Sequence, residues 1–191
     1  MSQAPVSQFR WRIGSSARLA VVLAALAAAA PAHAQANLEY ALKATFIYKL
    51  AAFVQWPATA FGSPAGALNL CVVGTNPFGK MLDQAVAGQQ IGGRPIVVRR
   101  VPAAEKAPAC HIVYVGLANT SAAAQALRSV RGSPVLTITD SAFEDGARGA
   151  VHFVIRDSHV RFEIDADAAA QNGVSLSSKL KSLAVPARPN P

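Results

Sequence analysis

Cysteine, acidic residues and aromatic residues are all scarce in this chain, and each shortage narrows what it can be. Cysteine occurs only at Cys71 and Cys110. A structural zinc site needs a set of four Cys or His ligands at close spacing. His111 beside Cys110 does not complete such a set. Acidic residues number 10 against 18 Lys and Arg. Aromatics make up 7% of the chain, and no aromatic-interleaved basic cluster occurs, so nucleic acid is not an expected partner. No apolar run reaches the roughly 20 residues that a membrane-crossing helix requires. There is no G-x-S-x-G elbow, no H-E-x-x-H and no Walker loop, and with them go the common hydrolase, zinc-protease and nucleotidase chemistries. No catalytic residue, metal or cofactor is expected.

What is present begins with an export pattern. Arg10, Arg12 and Arg18 precede an apolar run, residues 19–30, which ends at Pro31 and the small-residue site Ala32-His33-Ala34. Basic, apolar and small segments in that order read as a secretory signal cleaved after Ala34. Residues 35–191 are then one domain outside the cytoplasm. Three of the 18 basic residues leave with the leader, so 15 remain against 10 acidic ones, a net charge of +5. In an exported chain, an even cysteine pair favours a disulfide over two buried thiols or a metal pair. Its loop encloses about 40 residues, and such a cross-link stabilises by about 3–4 kcal/mol.

Apolar residues at three- and four-residue steps predict a helix over 38–56, with the stripe Leu38, Leu42, Phe46, Ile47, Leu50, Phe53 and Val54 facing inward. Lys43 and Lys49 fall off that stripe, Asn37 is the expected N-cap, and Pro57 is the stop. Strands follow at 68–73, 95–101, 110–115 and 134–139, with helices at 78–86 and 119–130 between them. Strands alternating with helices favour a parallel sheet covered on both faces. Residues 150–155 and 159–164 alternate around Asp157-Ser158 and read as an antiparallel hairpin. Short helices at 165–171 and 175–184 close the chain, Asn172-Gly173 ending the first. The expected fold is a single three-layer α/β domain with a mixed, mostly parallel sheet and a C-terminal antiparallel hairpin.

Five stretches carry a resemblance. They are KATFIYKLAAFVQWP at 43–57, LNLCVVGTNPFG at 68–79 with Gly93-Arg94 beyond it, Cys110-His111, LTITDSAFEDGARGAVHFVI at 136–155, and VRFEID at 160–165 with GVSLSSKLKSLA at 173–184. In this order they resemble the YfiR family of periplasmic proteins. Two departures stand out: the family's best-known member has a second cysteine pair, and Arg148 stands where consecutive glycines are commoner. The resemblance implies a compact α/β fold and a periplasmic repressor. Such a repressor binds the periplasmic sensor region of an inner-membrane diguanylate cyclase, lowering cyclic di-GMP and biofilm growth. It also implies redox sensing through disulfides. A small-ligand-binding module and a regulator of a sensor kinase are the alternatives, and a homodimer is left open.

Four groups are candidate sites. Tyr48 lies off the apolar stripe and, if exposed, is an aromatic anchor for a partner. Asp140, Glu144 and Asp145 form an acidic loop suited to a basic partner surface, its plainer reading being a solvated turn. Gly74, Thr75 and Asn76 after the first strand are a candidate anion-binding turn at the sheet's carboxyl edge. His152 and His159 could face each other across the hairpin and share a metal, although two ligands do not make a site.

Overall fold

The central strands are apolar on both faces, which fixes them in the middle layer. The computed structural model describes residues 30–63, 65–102, 110–142 and 147–187. In chain order the elements are α1 (Ala30–Ala51), β1 (Val54–Gln55), a 3-10 turn (Ala58–Ala60), β2 (Leu68–Gly74), α2 (Met81–Val86), β3 (Gln90–Ile91), β4 (Arg94–Val101), β5 (Ile112–Gly116), α3 (Thr120–Ser129), β6 (Leu136–Asp140), β7 (Val151–Arg156), β8 (His159–Ile164), α4 (Ala166–Gln171), β9 (Ser175–Leu176) and α5 (Ser178–Leu183). The seven-stranded sheet runs β3-β4-β2-β5-β6-β7-β8. Its inner pairs, from β4 through β2, β5 and β6 to β7, are parallel, while β7–β8 and β3–β4 are antiparallel. The expected mostly parallel sheet with a C-terminal hairpin is what the chain forms. The leader read at 1–34 lies largely outside the described residues, and those from Ala30 to Ala34 are helical.

Successive side chains on a strand point to opposite faces, and the two faces hold separate cores. Leu68, Leu70 and Val72 of β2 join Ile112, Tyr114, Leu136 and Phe153 beneath the helices on one side, where Ile47, Leu82, Ala169 and Leu180 close the layer. Cys71, Val73, Val113 and Val115 face the other side, against Ala123 and Ala126 of α3. Full burial of a Leu or Ile side chain contributes about 1.5–3 kcal/mol relative to exposure.

Three departures from the sequence reading have identifiable physical causes. First, α1 ends at Ala51 rather than Trp56, because Val54-Gln55 leaves to pair antiparallel with Ser175-Leu176. Asn37 lies inside the helix and is not its cap. Second, the inward stripe is rotated. Ala44, Ile47, Leu50 and Ala51 are buried together with Lys43, while Leu38 and Leu42 are 62% and 45% exposed. Alanines at the contact let the helix sit close, and the lysine is tolerated because its charge is paired, as described below. Third, the strand Gln90–Ile91 was not anticipated. Gly92 and Gly93, at φ 56° and 78°, turn it back onto Arg94 and Pro95, the left-handed two-residue loop that suits a hairpin. Asp157 and Ser158, at φ 51° and 60°, make the same kind of turn between β7 and β8.

The end of β5 leaves no room for a side chain. A Cβ at Gly116 would press on the Thr75 carbonyl, a backbone atom that also lies beside the β2 end. We expect Gly116→Ala to cost about 1–3 kcal/mol in a urea titration, with an unchanged slope.

Candidate functional site

The polar interior is organised around Lys43, whose side chain is fully buried. It lies on α1 one turn after Glu39, which places both side chains on one helix face. The Lys43 ammonium donates to both Asp140 oxygens, at 2.8 and 2.7 Å, and to Glu39 Oε1 at 2.5 Å. Asp140 ends β6, and its side chain is also completely buried. It accepts two further bonds, from the Tyr114 hydroxyl at 3.1 Å and from the Ala142 amide at 3.0 Å. Burial, then the Asp140 and Glu39 charges, push the Tyr40 hydroxyl up to about 12. Burial chiefly, helped by Asp140, raises Tyr114 far above its ordinary value, so both phenols stay protonated. Phe78 separates them, edge-on to Tyr40 at 5.7 Å and to Tyr114 at 4.7 Å. A buried charge is tolerable only when paired and hydrogen-bonded, and this one is. The cluster clamps α1 to the carboxyl end of β6.

That geometry corrects one candidate. Asp140 was expected on a solvated, partner-facing loop; it is 1% exposed and faces the interior. Glu144 and Asp145 lie outside the described residues. Tyr48 is half-buried and packs against the main core. The pairing was missed because Lys43 and Asp140 are 97 residues apart; the available signal was Lys43 at helical spacing to Ile47 and Leu50.

The Gly74, Thr75 and Asn76 turn closes on itself. Gly74 is at φ 81°, and a Cβ there would meet Leu117 and the Gly116 carbonyl. The Thr75 amide donates to Gly116 O at 2.8 Å, and the Phe78 amide to Asn76 Oδ1 at 3.2 Å. The Asn76 side-chain amide in turn donates to Gly79 O at 3.2 Å. Gly74, Gly79 and Lys80 have the spacing of a phosphate loop, but Met81 stands in place of its hydroxyl residue. The Asn76 side chain takes one of the amides that an anion would need.

On the other sheet face Glu163 accepts from both Arg148 and Arg156. Across the strand pair from Glu163 is His152. Its Nδ1 is 2.8 Å from the Thr139 hydroxyl, which also accepts from the Gly149 amide at 2.9 Å. Arg148, His152, Glu163 and Asp165 line a cavity of about 350 Å³. His159 pairs with Arg156, not with His152, and is exposed while His152 is buried. The two histidines therefore do not share a metal.

Cys71 and Cys110 form the disulfide, 39 residues apart with Cα atoms 5.9 Å apart. It bridges β2 to the residue two before β5, within the core on the α3 face. The segment after β1 is held next to it. Trp56 Nε1 donates to His111 O at 3.2 Å, and Phe61 stacks on the His111 ring with centroids 4.4 Å apart.

Removing one partner of a buried ion pair costs about 3–5 kcal/mol. We expect Lys43→Met to lose that much in chemical denaturation, and Lys43→Met with Asp140→Leu to recover a large part of it. A double-variant loss equal to the sum of the Lys43→Met and Asp140→Leu losses would mean that the pair itself carries no coupling.

Among the described residues no helix is long and apolar enough to cross a membrane. The YfiR/HmsC-like family model matches residues 40–185. That span runs from Tyr40 beside the buried lysine through the disulfide, the Gly74 turn, the hairpin and α5, and the chain belongs to the YfiR/HmsC-like family.

Proposed function

We propose that this protein is a periplasmic regulator that binds the periplasmic sensor region of an inner-membrane diguanylate cyclase and represses it, lowering cyclic di-GMP and biofilm formation. The observation that carries this reading is the family match across residues 40–185. The geometry agrees with a protein that works by shape. Its interior charges are engaged with one another, Lys43 with Asp140 and Glu163 with two arginines, and they stiffen the scaffold. Tyr48 and the acidic Glu144 and Asp145 are the proposed partner contacts. An acidic loop suits a basic patch on a sensor domain, where opposite charge speeds encounter and sets register.

The disulfide links this function to redox conditions. Cys71 and Cys110 staple β2 to the lead-in of its neighbour β5, so reduction loosens the α3-side core and favours release of the partner. Loss of a native disulfide in a small exported domain costs about 2–5 kcal/mol. We expect Cys110→Ser to melt at lower temperature and to capture less partner than the oxidised protein. Full partner affinity with normal melting would leave the bond without a regulatory part.

The partner is tested by cross-linking the oxidised protein to inner-membrane proteins of its own host and identifying what is captured. We expect a membrane protein with a periplasmic sensor region and a cytoplasmic cyclase domain, and weaker capture by Glu144→Lys with Asp145→Lys. Capture of a sensor kinase would replace the cyclase as the output. Repeated failure with folded, abundant protein would overturn the regulatory reading.

A further inference from the structure

His111 ties together pieces of chain that are distant in sequence. Its backbone amide donates to Asn69 O at 2.9 Å, and its carbonyl accepts from the Leu136 amide at 2.9 Å and from the Trp56 indole at 3.2 Å. The residue is 3% exposed. Nδ1 accepts from the Asn69 amide at 3.0 Å, so it carries no proton. Nε2, 3.1 Å from the Ala60 carbonyl, is then the donor. Both ring nitrogens are used in the neutral form, and only in that form. The ring stacks on Phe61 at an interplanar angle of 15°, and Trp56 packs edge-on to Phe61 at 6.4 Å. A neutral imidazole thus fastens residues 56–61 to the sheet.

Protonation sets an Nδ1–H against the Asn69 N–H, donor facing donor. Among the described residues the charged groups near this contact are both cations. Arg94 lies over Phe61, 3.7 Å from its centroid, and is also hydrogen-bonded to Ser63 O and Gly66 O. Arg99 donates to the Asn69 side chain at 3.2 Å. The 57–61 segment itself contributes no charge, and Cys110 on the other side is in the disulfide. The charge that acts on the ring among the described residues is that of Arg94, another cation. We propose that His111 is an acid-sensitive clasp: when its imidazole takes a proton, residues 56–61 come off the sheet and Trp56 and Phe61 are uncovered.

The sign follows from the ring's surroundings. Burial lowers the His111 pKa from its ordinary 6.5, the bond to Ala60 O opposes this, and Arg94 lowers it further. The unfolded or released ring therefore takes up the proton more readily than the clasped one. The clasp holds fully above pH 6.5 and weakens as pH falls from there towards the clasped ring's lower pKa. The inference rests on these contacts and is independent of the cyclase reading. In a compartment whose pH follows the surroundings, it would make the exposure of two aromatic side chains a function of acidity.

The test uses the full chain carrying Trp11→Phe, which leaves Trp56 as the single indole. Its emission and its quenching by acrylamide are followed from neutral to mildly acidic pH, with the His111 ring titrated by NMR and the backbone followed by far-ultraviolet circular dichroism. We expect one transition below pH 6.5, in which His111 protonation, a red shift of Trp56 and increased quenching share a midpoint while the backbone signal stays constant. His111→Gln keeps an acceptor and a donor but no titratable group, and should abolish the Trp56 transition. A Trp56 response that is absent, that occurs with His111 still neutral, or that persists in His111→Gln would overturn the clasp. If the Gln variant does not fold, the shared midpoint in the histidine-bearing protein decides alone.

Discussion

A lysine ammonium with no access to water sets the terms for much of this fold. Such a charge can stay inside only if its neighbours are placed within hydrogen-bonding reach. Lys43 therefore requires Asp140 at the end of β6 and Glu39 on its own helix, and Asp140 in turn takes the Tyr114 hydroxyl and the Ala142 amide. Helix, sheet and the loop after β6 are held in one register by directional bonds that generic hydrophobic packing would not specify. Breaking any one member leaves the rest uncompensated, so the cluster acts as a unit.

The other sheet face is organised differently. There a covalent bond joins β2 to the lead-in of β5, and the next residue, His111, fastens the segment that follows β1, whose Trp56 packs on the main core. The disulfide and the histidine act on neighbouring backbone, so oxidation state and acidity bear on one corner of the molecule. The buried ion pair lies elsewhere, under α1. One part of the scaffold is thus held by a buried ion pair. The other is held by groups whose chemistry depends on the compartment.

Much of the architecture was legible because its signals are local. The five apolar residues of β2, the turn at Asp157-Ser158 and the stop at Asn172-Gly173 each state their structure within a few positions. The two cysteines were legible as a pair for the same reason of economy: there was no third. What could not be read was set by long-range contacts. Lys43 and Asp140 look like ordinary surface charges until helix and strand meet. The end of α1 depended on β9, over a hundred residues away, and the small Gln90–Ile91 strand on a glycine pair that read only as punctuation. The His111 ring looked like an accessory to a cysteine, and only the structure shows both its nitrogens engaged.

The central claim is that this scaffold restrains a membrane-bound cyclase, and the most direct measurement is the intracellular cyclic di-GMP of the host with its own copy of the gene deleted. The account predicts that the nucleotide rises on deletion, falls again when the chain is restored with its export leader, and stays high when the same chain is confined to the cytoplasm. Unchanged cyclic di-GMP across all three strains, with the protein folded and present, would contradict it.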